Sequence, residues 1–367
     1  LTACSCGNTT GTALTIDGTD IPAGVYICYQ MDAYSKAQAA LAEAQPDLDM
    51  YAEDFDIKAQ TIEGVNAEEW IKNKTFELCR NYVAANKAFD EYGLSLTAEQ
   101  QAEINQYVTS AWEEENMYAQ YLYGFDTIGE YYESKGVGEK SYKETQTLYY
   151  KQEAVFNHLY GEGGELEVPA AELEAKVLSD YALIYSFQVD PAYGKAQDYV
   201  DKLNSGTAFP EVKQSYDQAV AVAEAEEAKK EAEEAGKEYD GTLPEDVVVA
   251  AEDAEILKSV INVKDTTPSE SYVADVFAMA NGENKLITVS KESTAVDGTT
   301  STTVSYYVVQ KLDIAADADV MANYKDSVLY DMKNSELEET LKAKGAAYAV
   351  TENAAAIKLY TIDKLEK

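Results

Sequence analysis

The chain of 367 residues is long enough for two or three domains at roughly 150 residues each, and ample for a real core. Its 67 Asp and Glu against 29 Lys and Arg give a formal charge of −38, which argues against nucleic acid as a partner because little basic surface is left to displace counterions from phosphates. With 46% hydrophobic residues the chain is expected to fold, and no apolar run reaches the roughly 18 residues needed to span a bilayer.

Histidine is nearly absent. The single imidazole, His158, removes most of the usual catalytic vocabulary, since Ser-His-Asp triads and Cys-His dyads need an imidazole placed by a partner and many zinc sites need several, and its flanks Phe156, Leu159 and Tyr160 suggest a helix-face residue. Arg80, the only arginine, restricts bidentate recognition of carboxylate or phosphate to one place and is expected in a local salt bridge. The carboxylates lack the Asp-x-Asp-x-Asp-Gly loop of a dedicated calcium site, so neither metal nor cofactor is expected.

The chain opens Leu1-Thr2-Ala3-Cys4, followed by Thr- and Gly-rich residues without apolar periodicity. This opening resembles the lipobox of bacterial lipoproteins. The resemblance implies a diacylglycerol on Cys4, a tether over residues 1–14, and attachment to the outer face of the bacterial cell membrane, where two acyl chains suffice for stable anchoring. Cys6, Cys28 and Cys79 then remain, which implies no disulfide framework. Cys28 and Cys79 lie in apolar-patterned segments and are expected as buried free thiols.

Residues 15–29 read as a short strand and turn, and a helix is expected from about residue 29 to 43. Asn66-Ala67-Glu68-Glu69 has the form of a capping box opening a helix that stops at Gly93. Thr97-Ala98-Glu99-Gln100 is a second capping box, predicting a helix through Trp112 and Tyr118 to Leu122. Two further helices, near residues 127–135 and 139–160, complete a mainly helical domain over residues 15–167. Pro169 then suits the first turn of a helix reaching Leu178. Residues 181–189 form a β-like apolar run, followed by a helix over about 193–203 with a stop at Gly206. A strand pair is expected near 286–290 and 302–312 around the turn-rich Asp297-Gly298-Thr299-Thr300. Residues 168–313 thus read as a small α+β domain. Within it, residues 221–237 repeat alanine at helical spacing among Glu and Lys, with Glu226–Lys230 and Glu233–Lys237 as favourable pairs. A charged helical insertion over about 221–246 is the result. Residues 314–367 hold an amphipathic helix near 320–344 and a β-like tail over 356–362, expected to return to the N-terminal domain.

This order resembles the extracytoplasmic foldases of the parvulin-type peptidyl-prolyl isomerase family, the PrsA-like and SurA-like proteins. The similar fragments are Leu94-Ser95-Leu96-Thr97-Ala98-Glu99-Gln100-Gln101, residues 170–186, residues 203–212 with Gly206-Thr207-Ala208-Phe209, and residues 276–283. The last family strand would be Tyr306-Tyr307-Val308-Val309-Gln310-Lys311-Leu312. The resemblance implies an α+β protein in which a helical chaperone domain, completed by the C-terminal segment, surrounds an inserted parvulin-like domain. It implies a function in binding unfolded secreted polypeptides.

The chain departs from the family at the chemistry. Family members usually carry a histidine in the first strand and another in the last; here the first strand offers Ala182, Ile184, Tyr185 or Ser186, and Tyr307 stands at the second position. Isomerisation is therefore expected to be lost or weak, although an apolar pocket that favours a twisted imide would still lower the roughly 20 kcal/mol torsional barrier. Tyr185, Phe187, Phe277, Met279 and Tyr307 are the candidates for such a pocket, or for ordinary core. Tyrosine is abundant, 29 residues against 8 Phe, and its amphipathic ring suits groove walls that stay wet. Tyr118, Tyr121, Tyr123, Tyr131, Tyr132, Tyr149 and Tyr150 are the candidate client-binding set. Three functions remain in view: a lipid-anchored chaperone, an active prolyl isomerase, and a solute-binding lipoprotein whose tyrosines stack on sugars.

Overall fold

A computed structural model describes residues 11–50, 52, 55–294 and 300–365. The motif around Cys4, Cys6, and the turn residues Asp297, Gly298 and Thr299 lie outside them. The architecture is mixed α and β, helix-dominated with small sheets, and the chain divides into one unit of Leu1–Val168 with Asp331–Lys367 and another of Pro169–Tyr330.

The first unit opens with a hairpin, β1 (Thr12–Ile16) and β2 (Thr19–Pro22), joined at Asp17-Gly18, both at positive φ. An Asp-Gly pair suits such a turn because its twist matches that of the flanking strands. Helix α1 (Ala23–Ala44) starts directly after Pro22, six residues earlier than the predicted start at residue 29. The sequence misleads here because Ala23, Val25, Tyr26 and Ile27 are all buried, so the entering helix shows no polar face. After a two-stranded hairpin, β3 (Thr61–Ile62) and β4 (Val65–Asn66), comes α2 (Ala67–Glu91). Asn66 accepts the Glu68 N–H at 3.1 Å, and the chain leaves the helix through Gly93 at φ +65°. Helix α3 (Ala98–Glu113) carries the complete capping box, Gln100 N–H to Thr97 Oγ1 at 3.1 Å and Thr97 N–H to Gln100 Oε1 at 3.0 Å.

The predicted run of α3 to Leu122 does not form. Backbone at Glu114 turns extended, and Asn116 accepts the N–H groups of Tyr118 and Ala119, both at 3.0 Å, to start α4 (Met117–Tyr123). An asparagine side chain offers the backbone a local partner that competes with helix continuation. Helices α5 (Ile128–Ser134) and α6 (Glu139–Tyr160) follow, the former capped by Thr127. His158 is exposed on α6, 4.6 Å from the Tyr92 ring. Arg80 forms no salt bridge among the described residues; its Nε is buried without a hydrogen-bond partner, correcting the expected local pair. Cys28 and Cys79 are free thiols, and burial pushes Cys28 up to about 12 and Cys79 higher still, which makes both poor nucleophiles.

The second unit contains α7 (Ala170–Asp180), β5 (Tyr181–Val189), α8 (Ala196–Asn204), α9 (Phe209–Glu234), β6 (Lys258–Asn262), α10 (Glu270–Ala278), β7 (Asn284–Thr294) and β8 (Thr300–Leu312). The helix predicted over 193–203 starts later because Gly194, at φ +151°, separates a short 3₁₀ turn from α8. The helix ends earlier than the predicted charged insertion over 221–246: residues 221–234 are the outer half of the 26-residue α9, which starts at Phe209, Lys237 lies beyond its end, and Lys230 lies 3.7 Å from Glu234 rather than pairing with Glu226. Four antiparallel strands pair in the order β6-β5-β8-β7, which sets β5 and β8 side by side at the centre with Gln188 opposite Tyr307.

Because side chains alternate across a strand, this sheet has two separate cores. Phe187, Val189 and Val308 pack with Tyr199, Val200, Leu203, Phe209 and Val212 of α8 and α9. On the other face Ala182, Ile184, Ile287 and Val309 pack with Tyr272, Val273 and Val276 of α10.

Helix α11 (Ala318–Ala346) carries the chain across the boundary at Tyr330 into the first unit. There β9 (Val350–Glu352) pairs antiparallel with β1, so β1 is the middle strand of a three-stranded sheet. The tail predicted as a strand over 356–362 is instead the short helix α12 (Ala354–Ile357), capped by Asn353, and a 3₁₀ turn that buries Ile362. The alanine run after a capping asparagine favours helix over the strand suggested by Ile357, Leu359 and Ile362.

Candidate functional site: a tyrosine-lined groove

In the first unit, α3 to α6 enclose a groove of about 440 Å³. The break after α3 is what opens it. Residues 114–116 carry the chain away from α3, so that Tyr118 and Tyr123 of α4 face Tyr107, Ser110 and Ala111 of α3 across the space. Ile128, Tyr131 and Tyr132 come from α5, and Tyr142 from the start of α6. Helices α3 and α5 meet at Gly129, where a Cβ would stand 2.7 Å from the Trp112 ring and 3.0 Å from Trp112 Cα. Only glycine allows that approach.

Aromatic contacts tie the groove together. Tyr142, 3% exposed, lies 4.7 Å from Tyr132, 5.1 Å from Trp112 and 6.3 Å from Tyr107, centroid to centroid. Tyr123 stacks on Tyr131 at 3.9 Å and 13°. Trp112 donates its indole N–H to Glu133 at 3.0 Å, and the Tyr142 hydroxyl reaches that of Tyr107 at 3.4 Å. Burial raises the Tyr131, Tyr132 and Tyr142 hydroxyls above their ordinary range, so they stay protonated and serve as hydrogen-bonding groups. Glu114 and Glu115 are the charged groups of the lining. The groove therefore offers a ligand aromatic rings, hydroxyls and two carboxylates.

Of the predicted tyrosines, Tyr118, Tyr123, Tyr131 and Tyr132 line the groove. Tyr121, 86% exposed on α4, does not, and Tyr149 and Tyr150 pair edge-on with each other on α6 outside it. Tyr107 and Tyr142 were missed. Tyr107 was findable, since Ile104, Tyr107, Val108 and Ala111 recur at helical spacing on α3.

The second candidate set does not converge. Tyr185 and Phe187 point into the α8–α9 core, where Phe209 lies 5.0 and 5.5 Å away, whereas Phe277, Met279 and Tyr307 belong to the opposite face. The five residues therefore form no single pocket, because Tyr185 and Phe187 leave β5 on one side of the sheet and Tyr307 leaves β8 on the other. What gathers beside Tyr307 is a pair of hydroxyls: Ser186 Oγ is 3.0 Å from Tyr272 Oη, and the Tyr272 ring meets Tyr307 edge-on at 5.1 Å. Of the first-strand alternatives, Ala182, Ile184 and Ser186 share this face and Tyr185 does not. Nearby, Lys311 Nζ donates to the carbonyls of Phe277 and Met279 at 3.2 and 2.8 Å, and burial lowers its pKa.

Among the described residues no cluster of three or more His, Cys, Asp or Glu suits a metal ion, and no helix is long and apolar enough to cross a membrane. No family model matches the chain, and no curated protein matches it.

Proposed function

We propose that the protein is a lipid-anchored extracytoplasmic chaperone that holds unfolded secreted polypeptides in the tyrosine-lined groove, with a parvulin-like second unit in which prolyl isomerisation is lost or weak. The groove is the observation that carries this reading. It presents aromatic faces and hydroxyls along an open groove, with Tyr118 74% exposed, and such a surface suits extended chains of varied sequence. The anchor would be a diacylglycerol on Cys4, placing the protein on the outer face of a bacterial membrane. The parvulin-like reading of Pro169–Tyr330 is supported by the central pairing of the first and last long strands, β5 and β8. Ser186 and Tyr307 would then occupy the positions of the family's two histidines.

A second reading, an active prolyl isomerase, draws on the Ser186–Tyr272–Tyr307 cluster. Isomerisation has no covalent step, so hydroxyls beside an apolar wall would need only to favour the twisted imide. Two assays on the full chain separate the readings. The proposal expects suppressed aggregation of a denatured protein and no acceleration of cis–trans relaxation in an Xaa-Pro peptide. Acceleration abolished by Tyr307→Ala would favour the isomerase, and failure of both assays would remove both readings.

A further inference from the structure

Resting on the groove as the client site, we infer that it selects unfolded segments in which a lysine or arginine stands beside an aromatic residue. The cation would lie against the tyrosine rings, with Glu114 and Glu115 as its counter-charges.

Three observations converge. The lining carries Glu114 and Glu115 but no lysine, arginine or histidine, and neither glutamate forms an ion pair among the described residues. Ser110 Oγ donates to Glu114 Oε1 at 3.0 Å, which orients that carboxylate at the groove. One ring of the lining, that of Tyr131, lies beside a cation on its buried side, Lys135 Nζ standing 5.5 Å from its centroid. An ammonium or guanidinium over a tyrosine face is attracted by the ring's quadrupole, and a nearby carboxylate strengthens its hold. Tyr123 presents the accessible ring, since its stack on Tyr131 covers one face while the residue stays 46% exposed. An aromatic neighbour in the client would meet Tyr107, which is 55% exposed at the other wall. An acidic segment would face both carboxylates and the field of a chain carrying −38 charges.

The test measures fluorescence anisotropy of unstructured peptides with the full chain at low and high salt. The peptides are identical except for Lys, Gln or Glu on either side of one Tyr. The expected order is Lys over Gln over Glu, with Lys about tenfold tighter than Gln at low salt, the scale of one cation–π contact and a screened ion pair together. High salt should shrink the gap. Substituting both groove glutamates, Glu114→Gln with Glu115→Gln, should cut the Lys preference to the roughly two- to fivefold that the ring contact alone supplies. A Lys preference undiminished by this double substitution overturns the inference, because overall surface charge would then be its source. Equal binding of Lys and Gln peptides overturns the inference and leaves the client reading intact. Absence of binding by all three overturns both.

Discussion

Removal of residues 347–367 is expected to unfold the first unit. That segment supplies β9, without which β1 loses the partners of Leu14, Thr15 and Ile16 and becomes an edge strand. It also takes away Asn353, whose N–H bonds Ala13 O and whose Nδ2 bonds Thr12 O, both at 2.9 Å. The side chain of Gln30, 5% exposed, would lose the Tyr360 carbonyl it reaches at 2.9 Å, and an unsatisfied buried amide costs about 1–3 kcal/mol. Tyr348, Val350, Ile357 and Tyr360 pack against the core around Tyr26, and Ile362 fills a second core beside Ile57 and Ile71. Ile362 is fully buried and the other four are partly buried, so at up to about 1.5–3 kcal/mol for each side chain the loss is a large share of the stability of a typical domain, about 5–15 kcal/mol. Far-UV circular dichroism and limited proteolysis of the shortened chain measure the outcome. A shortened chain as protease-resistant as the parent would show that the C-terminal strand is an accessory.

Tyr142→Ala carries the second large effect. Truncating a buried aromatic costs about 3–5 kcal/mol, and here the cavity would open beneath the groove where Tyr107, Trp112 and Tyr132 converge on one ring. Urea unfolding should show that loss, and affinity for an unfolded protein should fall by at least about tenfold as the lining rings lose their support. Tyr142→Phe keeps the ring and gives up only the 3.4 Å contact with the Tyr107 hydroxyl, so it should stay within about 1 kcal/mol of the parent and bind normally. Tyr149→Ala, on the same helix but outside the groove, should change client binding less than twofold. If Tyr142→Ala lowered stability and left client affinity untouched, the groove would not be where clients bind.

Local signals in the sequence were strong enough to place most helices of the first unit. Asn66, Thr97 with Gln100, and Thr127 each bond the backbone N–H groups that open a helix, and such caps depend on a few adjacent residues. The run over residues 181–189 announced β5 because its β-branched and aromatic content suits a doubly covered strand. That double covering is also why the candidate pocket failed. An apolar run buried on both faces carries no polar alternation, so Tyr185 and Tyr307 gave no sign of lying on opposite sides. The groove was only half legible for a related reason. Tyrosines clustered in sequence pointed to α4 and α5, but the opposing wall depends on the break at Asn116 and on Gly129 admitting Trp112, both settled by packing. Strand β6 and helix α10 escaped notice because residues 258–262 and 270–278 are too short to show a clear period.

The most direct measurement is hydrogen exchange of the full chain with and without a permanently unfolded protein, one whose cysteines are reduced and alkylated. A client held in the groove should slow exchange in residues 98–142, most of all around the Asn116 break and α4, most of whose residues are exposed. Exchange in the β5–β8 sheet should stay unchanged. Unaltered exchange throughout 98–142 at saturating client, or slowing confined to the second unit, would contradict the account.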